Sequence, residues 1–279
     1  MGVVRHRTVQ ASAQDLGITQ TGVTQRIRAL ERQLGTTLFT RSRRGMQLTQ
    51  EGEALLRYCH AIKDLEGETL ARIGGARSKG IPTGIRVSIE GPTSLMRARV
   101  IPACLEVARR HAGLLLAFNI QDQRLAAQSL REGSALFAVL APEQVAREMD
   151  SKLLKPEEYV LIGPSTWKRR KIQDIVARER IVDFNAEDDT THRYLRKFRL
   201  LDHARPDRHF VNSNESLIQM LEHGLAYAVF TREFARPHLE AGRISLLNGG
   251  AALESRPAIA WYPRPEMPHY MKEIIAAIK

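Results

Sequence analysis

The chain has 279 residues, 43% of them apolar and 26% charged, which is more than one core comfortably holds and too apolar for a disordered polymer. A net charge of +11 favours a polyanionic partner, and no apolar run approaches the roughly 20 residues that a membrane span needs. With no apolar signal core at the N-terminus, a cytoplasmic protein without membrane contact is expected. Cys59 and Cys104 lie far apart in helical contexts, which argues against a disulfide framework or a thiolate metal site.

The charge is uneven. Residues 1–50 hold eight arginines (Arg5, Arg7, Arg26, Arg28, Arg32, Arg41, Arg43 and Arg44) against Asp15 and Glu31. Within this stretch "TVQASAQDL", residues 8–16, suits a short helix ending at Gly17, and Thr19 is placed to cap a second. In that second helix Val23, Ile27, Leu30 and Leu34 recur at helical spacing, while Gln20, Thr21, Thr24, Gln25 and Arg28 take the opposite side. Two helices joined by a short turn, the second offering Gln, Thr and Arg outward, read as a helix-turn-helix. An ordinary amphipathic helix with a solvated polar face is the plainer reading. The next segment weighs against it, because "TTLFTRSRRGMQLT" places a basic turn, Arg41 to Gly45, between apolar flanks, as in a β-hairpin. Arginines Arg41, Arg43 and Arg44 on such a wing would contact phosphate and confer salt-dependent affinity for double-stranded DNA.

Thr49 then caps a long helix running to about Ile73, in which Leu55, Tyr58, Ile62, Leu65 and Thr69 form a narrow apolar seam suited to a partner helix from a second subunit. "GGARSKGIPTG", residues 74–84, reads as an interdomain linker. Beyond it the texture changes to strands alternating with helices: "IRVSI", a helix through Ala103 and Val107, "LLLAFNI", a helix near Leu125 to Leu130, "ALFAVLA" and "EEYVLIG". The second half follows suit with "RIVDF", a helix around Tyr194, "HFV", a helix from Asn214 to His223, "LAYAVF", "AIAWYP" and a terminal helix. Parallel sheets covered by helices, in two β/α lobes with a cleft between them, are expected.

The segment "ASAQDLGITQTGVTQRIRALERQLGTTLFTRSRRGMQLTQEGEALL", residues 11–56, resembles the LysR-type transcriptional regulators in its Leu-Gly, Thr-Gln, Val-Thr-Gln-Arg-Ile, Leu-Gly and Leu-Phe-x-Arg pattern. That resemblance implies a winged helix-turn-helix over 1–48, a linker and dimerisation helix over 49–83, and a two-lobed, periplasmic-binding-protein-like effector domain over 84–279. Lobe I would take about 84–162 and 263–279, and lobe II about 163–262. A homodimer or homotetramer would be the working form. A narrower likeness, to the branch that responds to lysine and arginine and controls export of basic amino acids, rests on three stretches: "DFNAEDDTTHRYL", "VNSNESLIQMLEHGLAYAV", and "LEAGRISLL" followed by "IAWYPRPEMPHYMKEII". "SIEGPTSLMRARVIP" is less like that branch. The family also carries a further helix of more than a dozen residues ahead of the position of Thr8, where "MGVVRHR" stands here, so the first helix of the DNA-binding domain is expected to be absent or replaced.

Thr93 and Ser94 follow the first strand of the effector domain at a helix start, where free N–H groups suit a carboxylate, although Ser94 could simply cap the helix. Asn212, Ser213 and Asn214 sit likewise between a strand and a helix. Asp183, Asp188 and Asp189, with Glu187, form an acidic cluster able to meet an ammonium or guanidinium group, or else a solvated loop. No phosphate loop, nucleophile elbow or metal-ligand spacing is visible; His192, His203, His209 and His223 are scattered, so neither catalysis, cofactor nor metal is expected. Two function classes follow: a ligand-responsive DNA-binding regulator, sensing lysine or arginine, and a small-molecule sensor whose DNA binding has been lost through a shortened N-terminus.

Overall fold

Threonine caps set out the N-terminal module. In the computed structural model, which describes residues 1–42, 45–74, 84–111 and 113–279, Thr8 Oγ1 accepts from Ala11 N and opens α2 (Val9–Asp15), and Thr19 Oγ1 accepts from Gly22 N and opens α3 (Gln20–Leu34). Ahead of them lies α1 (Gly2–His6), five residues where the resemblance implied more than a dozen, so of the two expectations the first helix is replaced by a short one rather than absent. Val3 on α1 is buried with Ala13 and Val23, and Val9, Ile18, Ile27, Phe39 and Met46 pack around them. Leu30 and Leu34, assigned to the inner face of α3, are instead exposed.

The predicted hairpin forms from β1 (Phe39–Ser42) and β2 (Gly45–Leu48), antiparallel with Phe39 opposite Leu48. Arg43 and Arg44 lie outside the described residues. Two close approaches fix the hairpin. Met46 N donates to Arg7 O at 2.9 Å, and a Cβ on Gly45, whose φ is +101°, would stand 2.5 Å from that same oxygen. On the other side Thr49 caps α4 (Gln50–Gly74) through Gly52 N, and its hydroxyl donates to Thr37 O at 2.7 Å.

The remaining chain gives β3 (Ile85–Gly91), α5 (Thr93–Leu95), a π-helical turn at Met96–Val100, α6 (Ile101–Arg110), β4 (Leu114–Ile120), α7 (Gln123–Glu132), β5 (Phe137–Leu140) and β6 (Asp150–Leu153). The π turn precedes Pro102, which has no N–H to continue an α-helical ladder. Next come β7 (Glu157–Pro164), α8 (Ile172–Arg178), β8 (Arg180–Asp183), α9 (Thr190–Lys197), β9 (Arg208–Phe210), α10 (Asn214–Glu222), β10 (Ala226–Thr231), α11 (Arg232–Glu240), β11 (Ile244–Leu246) and β12 (Ala252–Ser255). The chain closes with β13 (Ala258–Trp261) and α12 (His269–Ala277).

Two units result, the first comprising Met1–Met96, Ile101–Lys152 and Ile259–Ile278, and the second consisting mainly of Leu153–Ala258. The first contains a five-stranded sheet in the order β4-β3-β5-β13-β6, and the second a sheet in the order β11-β7-β10-β8-β9, with β12 also on β7. The chain passes between the units near residues 153 and 258, beside expected lobe limits of about 162 and 263. Strand β7 pairs with β10, β11 and β12, and so belongs wholly to the second unit, whereas β13 returns to the first. The expected parallel pairing holds for β3 with β4 and β5 and for β8 with β9 and β10, while β7 runs antiparallel to all three of its partners.

Candidate nucleic-acid interface and ligand-binding strand ends

On α3 the side chains of Gln20, Thr21, Gln25 and Arg28 are exposed and Thr24 is half-buried. Because Val23 and Ile27 anchor the opposite side, this face is held outward on a fixed helix. Arg41 is exposed on β1. The sequence reading overlooked Glu31. Its Oε1 accepts from Leu38 N at 2.8 Å and Phe39 N at 3.4 Å, tying the end of α3 to the start of the wing. Had it been read as a free carboxylate it would only have diluted the local positive charge; satisfied by two backbone donors, it sets the angle between helix and hairpin.

The linker helix is partly covered and partly bare. Leu56 is buried, and Arg57 donates to Arg131 O at 2.6 Å while its guanidinium lies 4.1 Å from the centre of the Tyr262 ring. Gly133, with φ +74°, comes so close to Arg57 that a Cβ would meet its Cα at 2.9 Å, so α4 rests on the end of α7. Burial there raises the Glu53 carboxyl above the usual range, partly offset by Arg131. Of the predicted seam, Leu55 is half-buried, whereas Tyr58, Ile62 and Leu65 are exposed, at 62%, 47% and 62%. That run of apolar surface on one helix face is what an oligomer interface leaves behind in a single chain.

In the first unit the parallel strands β3 and β4 end side by side, with Gly91 opposite Ile120. Thr93 and Ser94 follow directly and are half-buried at the start of α5, whose N-cap is Pro92 rather than Ser94. At the same strand ends stands a group the sequence reading missed: Glu90, 3% exposed, accepts from Asn119 Nδ2 at 2.8 Å and from the Gln121 amide. Alternation in "IRVSIEG" groups Glu90 with Arg86 and Ser88, opposite the buried Val87 and Ile89, so the pattern gave no signal that this carboxylate is buried and held by amides.

The second unit offers the equivalent arrangement. Asp183 ends β8 opposite Phe210 at the end of β9, and Val211 N donates to Asp183 O at 3.1 Å, so the loops 184–189 and 211–213 leave the sheet together. Asn212 is exposed, Asn214 half-buried, and Ser213 Oγ caps α10 by accepting from Ser216 N at 3.3 Å. The acidic cluster is not the open cation site expected. Asp183 is buried, with Oδ1 accepting from Thr191 Oγ1 at 2.7 Å and Oδ2 paired with Arg208 Nη1 at 2.8 Å. Burial raises its carboxyl above the ordinary range against the pull of Thr191 and Arg208. Arg208 also donates to Asp188 O and Ala186 O, both at 3.1 Å. Asp188 accepts from Thr190 N at 3.0 Å and Phe184 N at 3.3 Å, as loop-closing aspartates do. Glu187 and Asp189 are exposed, the Asp189 carboxylate lying 4.0 Å from Arg193.

A basic helix-turn-helix with a wing, a linker helix with a bare apolar seam, and two units with parallel strand ends are thus present in one chain. Residues 1–53 match the family model described as bacterial regulatory helix-turn-helix protein, lysR family, and residues 83–279 match the LysR substrate binding domain. The chain belongs to the LysR family. Its relatives include the HTH-type transcriptional regulator ArgP of Serratia proteamaculans, 25% identical with 99% of this chain and 92% of that protein covered, and ArgP of Yersinia pestis, 24% identical with 99% and 90% covered. Among solved structures, ArgP from Mycobacterium tuberculosis superposes with a TM-score of 0.76 at 24% identity, covering 99% of this chain and 93% of that one. Full-length LysG from Corynebacterium glutamicum with bound effector Arg superposes with a TM-score of 0.72 at 19% identity and the same coverage. As a LysR-type regulator the chain is a DNA-binding transcription factor with a small-molecule effector domain, of a type that acts as an oligomer. Because the match to the helix-turn-helix model runs from residue 1 through 53, the alternative of a sensor that has lost DNA binding is overturned.

Proposed function

We propose that this regulator senses a basic amino acid, arginine or lysine, and acts in the cytoplasm without catalysis of its own. The observation that carries the effector reading is the kinship to ArgP proteins and the fold shared with an arginine-bound LysG. Among the described residues no helix is long and apolar enough to cross a membrane. Thr93 and Ser94 in the first unit, and Asn212, Ser213 and Asn214 in the second, are assigned to the amino acid's polar groups, since ligands of open α/β sheets bind at the carboxyl ends of parallel strands. For the cationic end the assignment rests on Asp189, whose carboxylate is exposed, and on Glu90, whose carboxylate accepts from the side-chain amides of Asn119 and Gln121. Gln20, Thr21, Thr24, Gln25 and Arg28 are assigned to base edges and Arg41, Arg43 and Arg44 to phosphates.

Calorimetric titration of the full chain with arginine, lysine, leucine and a dicarboxylic acid tests the effector assignment. Saturable binding of the basic amino acids is expected. Binding of the dicarboxylate with none of arginine or lysine would overturn it while leaving the regulator intact.

A further inference from the structure

The geometry points to a binding site for a divalent transition-metal ion of the zinc class, formed by His111, His269 and Glu273 on the first unit. His269 opens α12 and Glu273 follows one turn later on the same face, while His111 stands just past the end of α6. The two helices hold these groups in place by packing: Met271 and Ile274 on α12, and Cys104 and Val107 on α6, are all buried.

The donor atoms already converge. His269 Nδ1 lies 2.7 Å and His111 Nε2 3.0 Å from the same oxygen, Glu273 Oε1, and the three donor atoms lie within 4.8 Å of one another. A tetrahedral ion with bonds of about 2.0 to 2.1 Å places its donors roughly 3.4 Å apart, so the site closes with a shift of about 1 Å. The imidazole rings, 6.2 Å apart between centres and inclined at 50°, approach the carboxylate from different directions, as ligands around one ion must. Glu273 is 19% and His111 30% exposed, whereas His269 is 80% exposed, which leaves a solvent side for entry and for a fourth ligand, water.

Two imidazole nitrogens and one carboxylate oxygen select zinc, nickel, cobalt or copper over magnesium or calcium, which prefer all-oxygen sets. Arg110 opposes the ion. Its Nη1 is 2.9 Å from Glu273 Oε2, and a bound dication would have to push that exposed guanidinium aside. The competing account is a histidine–carboxylate cluster that only ties α6 to α12.

The two accounts part on titrating the tag-free full chain with zinc chloride by calorimetry, alongside thermal unfolding. One ion per chain and a rise in Tm are expected. His269→Ala, at a position exposed enough to leave folding intact, and His111→Gln should each weaken zinc by at least about tenfold, the scale on which even outer partners of metal ligands count. Arg110→Gln should bind zinc at least as tightly as the parent, because it removes the opposing charge. No zinc-dependent heat or Tm shift in the parent would overturn the site, as would undiminished binding in both histidine variants or loss of binding in Arg110→Gln.

Discussion

Replacing Asp183 by Asn separates a structural carboxylate from an effector ligand. At 2.8 Å the Asp183–Arg208 pair has a Coulomb attraction of about 6 kcal/mol at an effective dielectric of about 20. Desolvation opposes this, and removing one partner of a buried pair typically costs 3–5 kcal/mol. Asparagine keeps an acceptor for Thr191, and Arg208 keeps the carbonyls of Asp188 and Ala186, so the lower end applies: about 3 kcal/mol, more than a hundredfold in the folding equilibrium. Urea unfolding followed by circular dichroism reads this as an earlier transition. Arginine binding, measured where the variant is folded, should change little, because the carboxylate is already committed to Arg208; a lost direct contact would cost about tenfold or more. An unchanged unfolding midpoint together with that tenfold loss would refute the structural reading.

In the DNA-binding module, Gln25→Ala and Arg28→Ala should relax base preference by about 1–3 kcal/mol per lost bidentate contact, and Arg41→Ala should lower the salt slope of binding by about one across all sequences; fluorescence anisotropy at several salt concentrations measures both. Ile62→Glu combined with Leu65→Glu should dissociate the oligomer, read by light scattering, since it places charge in the exposed seam. Val3→Ala should lower the stability of the N-terminal module by about 1–2 kcal/mol in thermal melts, as expected for truncating a buried valine. Arg205 and Arg180 hold the Asp207 carboxyl down to about 2, so stability gained there is present above about pH 3.9 and lost as pH falls towards about 2; Asp207→Asn should flatten acid unfolding over that interval.

Elements with long, strongly patterned sequences were legible: "LLLAFNI" is β4 to the residue, and the Thr19 and Thr49 caps fall where hydroxyl chemistry places them. Contacts between distant residues were not. Nothing in "DFNAEDD" shows that Arg208, 25 positions on, neutralises its first carboxylate, because register between β8 and β9 brings them together. Likewise Glu273 meets His111 across 162 positions, a distance at which no ligand-spacing rule applies. The exposed Leu30 and Leu34 show the converse limit, since helical spacing marks a face without saying whether anything covers it.

The first helix illustrates why local reading fails for short elements. Five residues close too few intrahelical hydrogen bonds to offset nucleation, so no periodicity argument could have assigned α1. What holds it is tertiary. Val3 enters the core, Arg7 turns the chain in a left-handed conformation at φ 56°, and the Arg7 carbonyl is taken by Met46 of the wing. His6 adds a contact at 3.2 Å with Asp15 at the C-terminal end of α2. The wing strand and the first helix therefore stabilise each other through one backbone hydrogen bond, and Gly45 is the residue that lets them approach. A side chain at Gly45 would part them, and the hairpin that carries Arg41 would lose its register against α3.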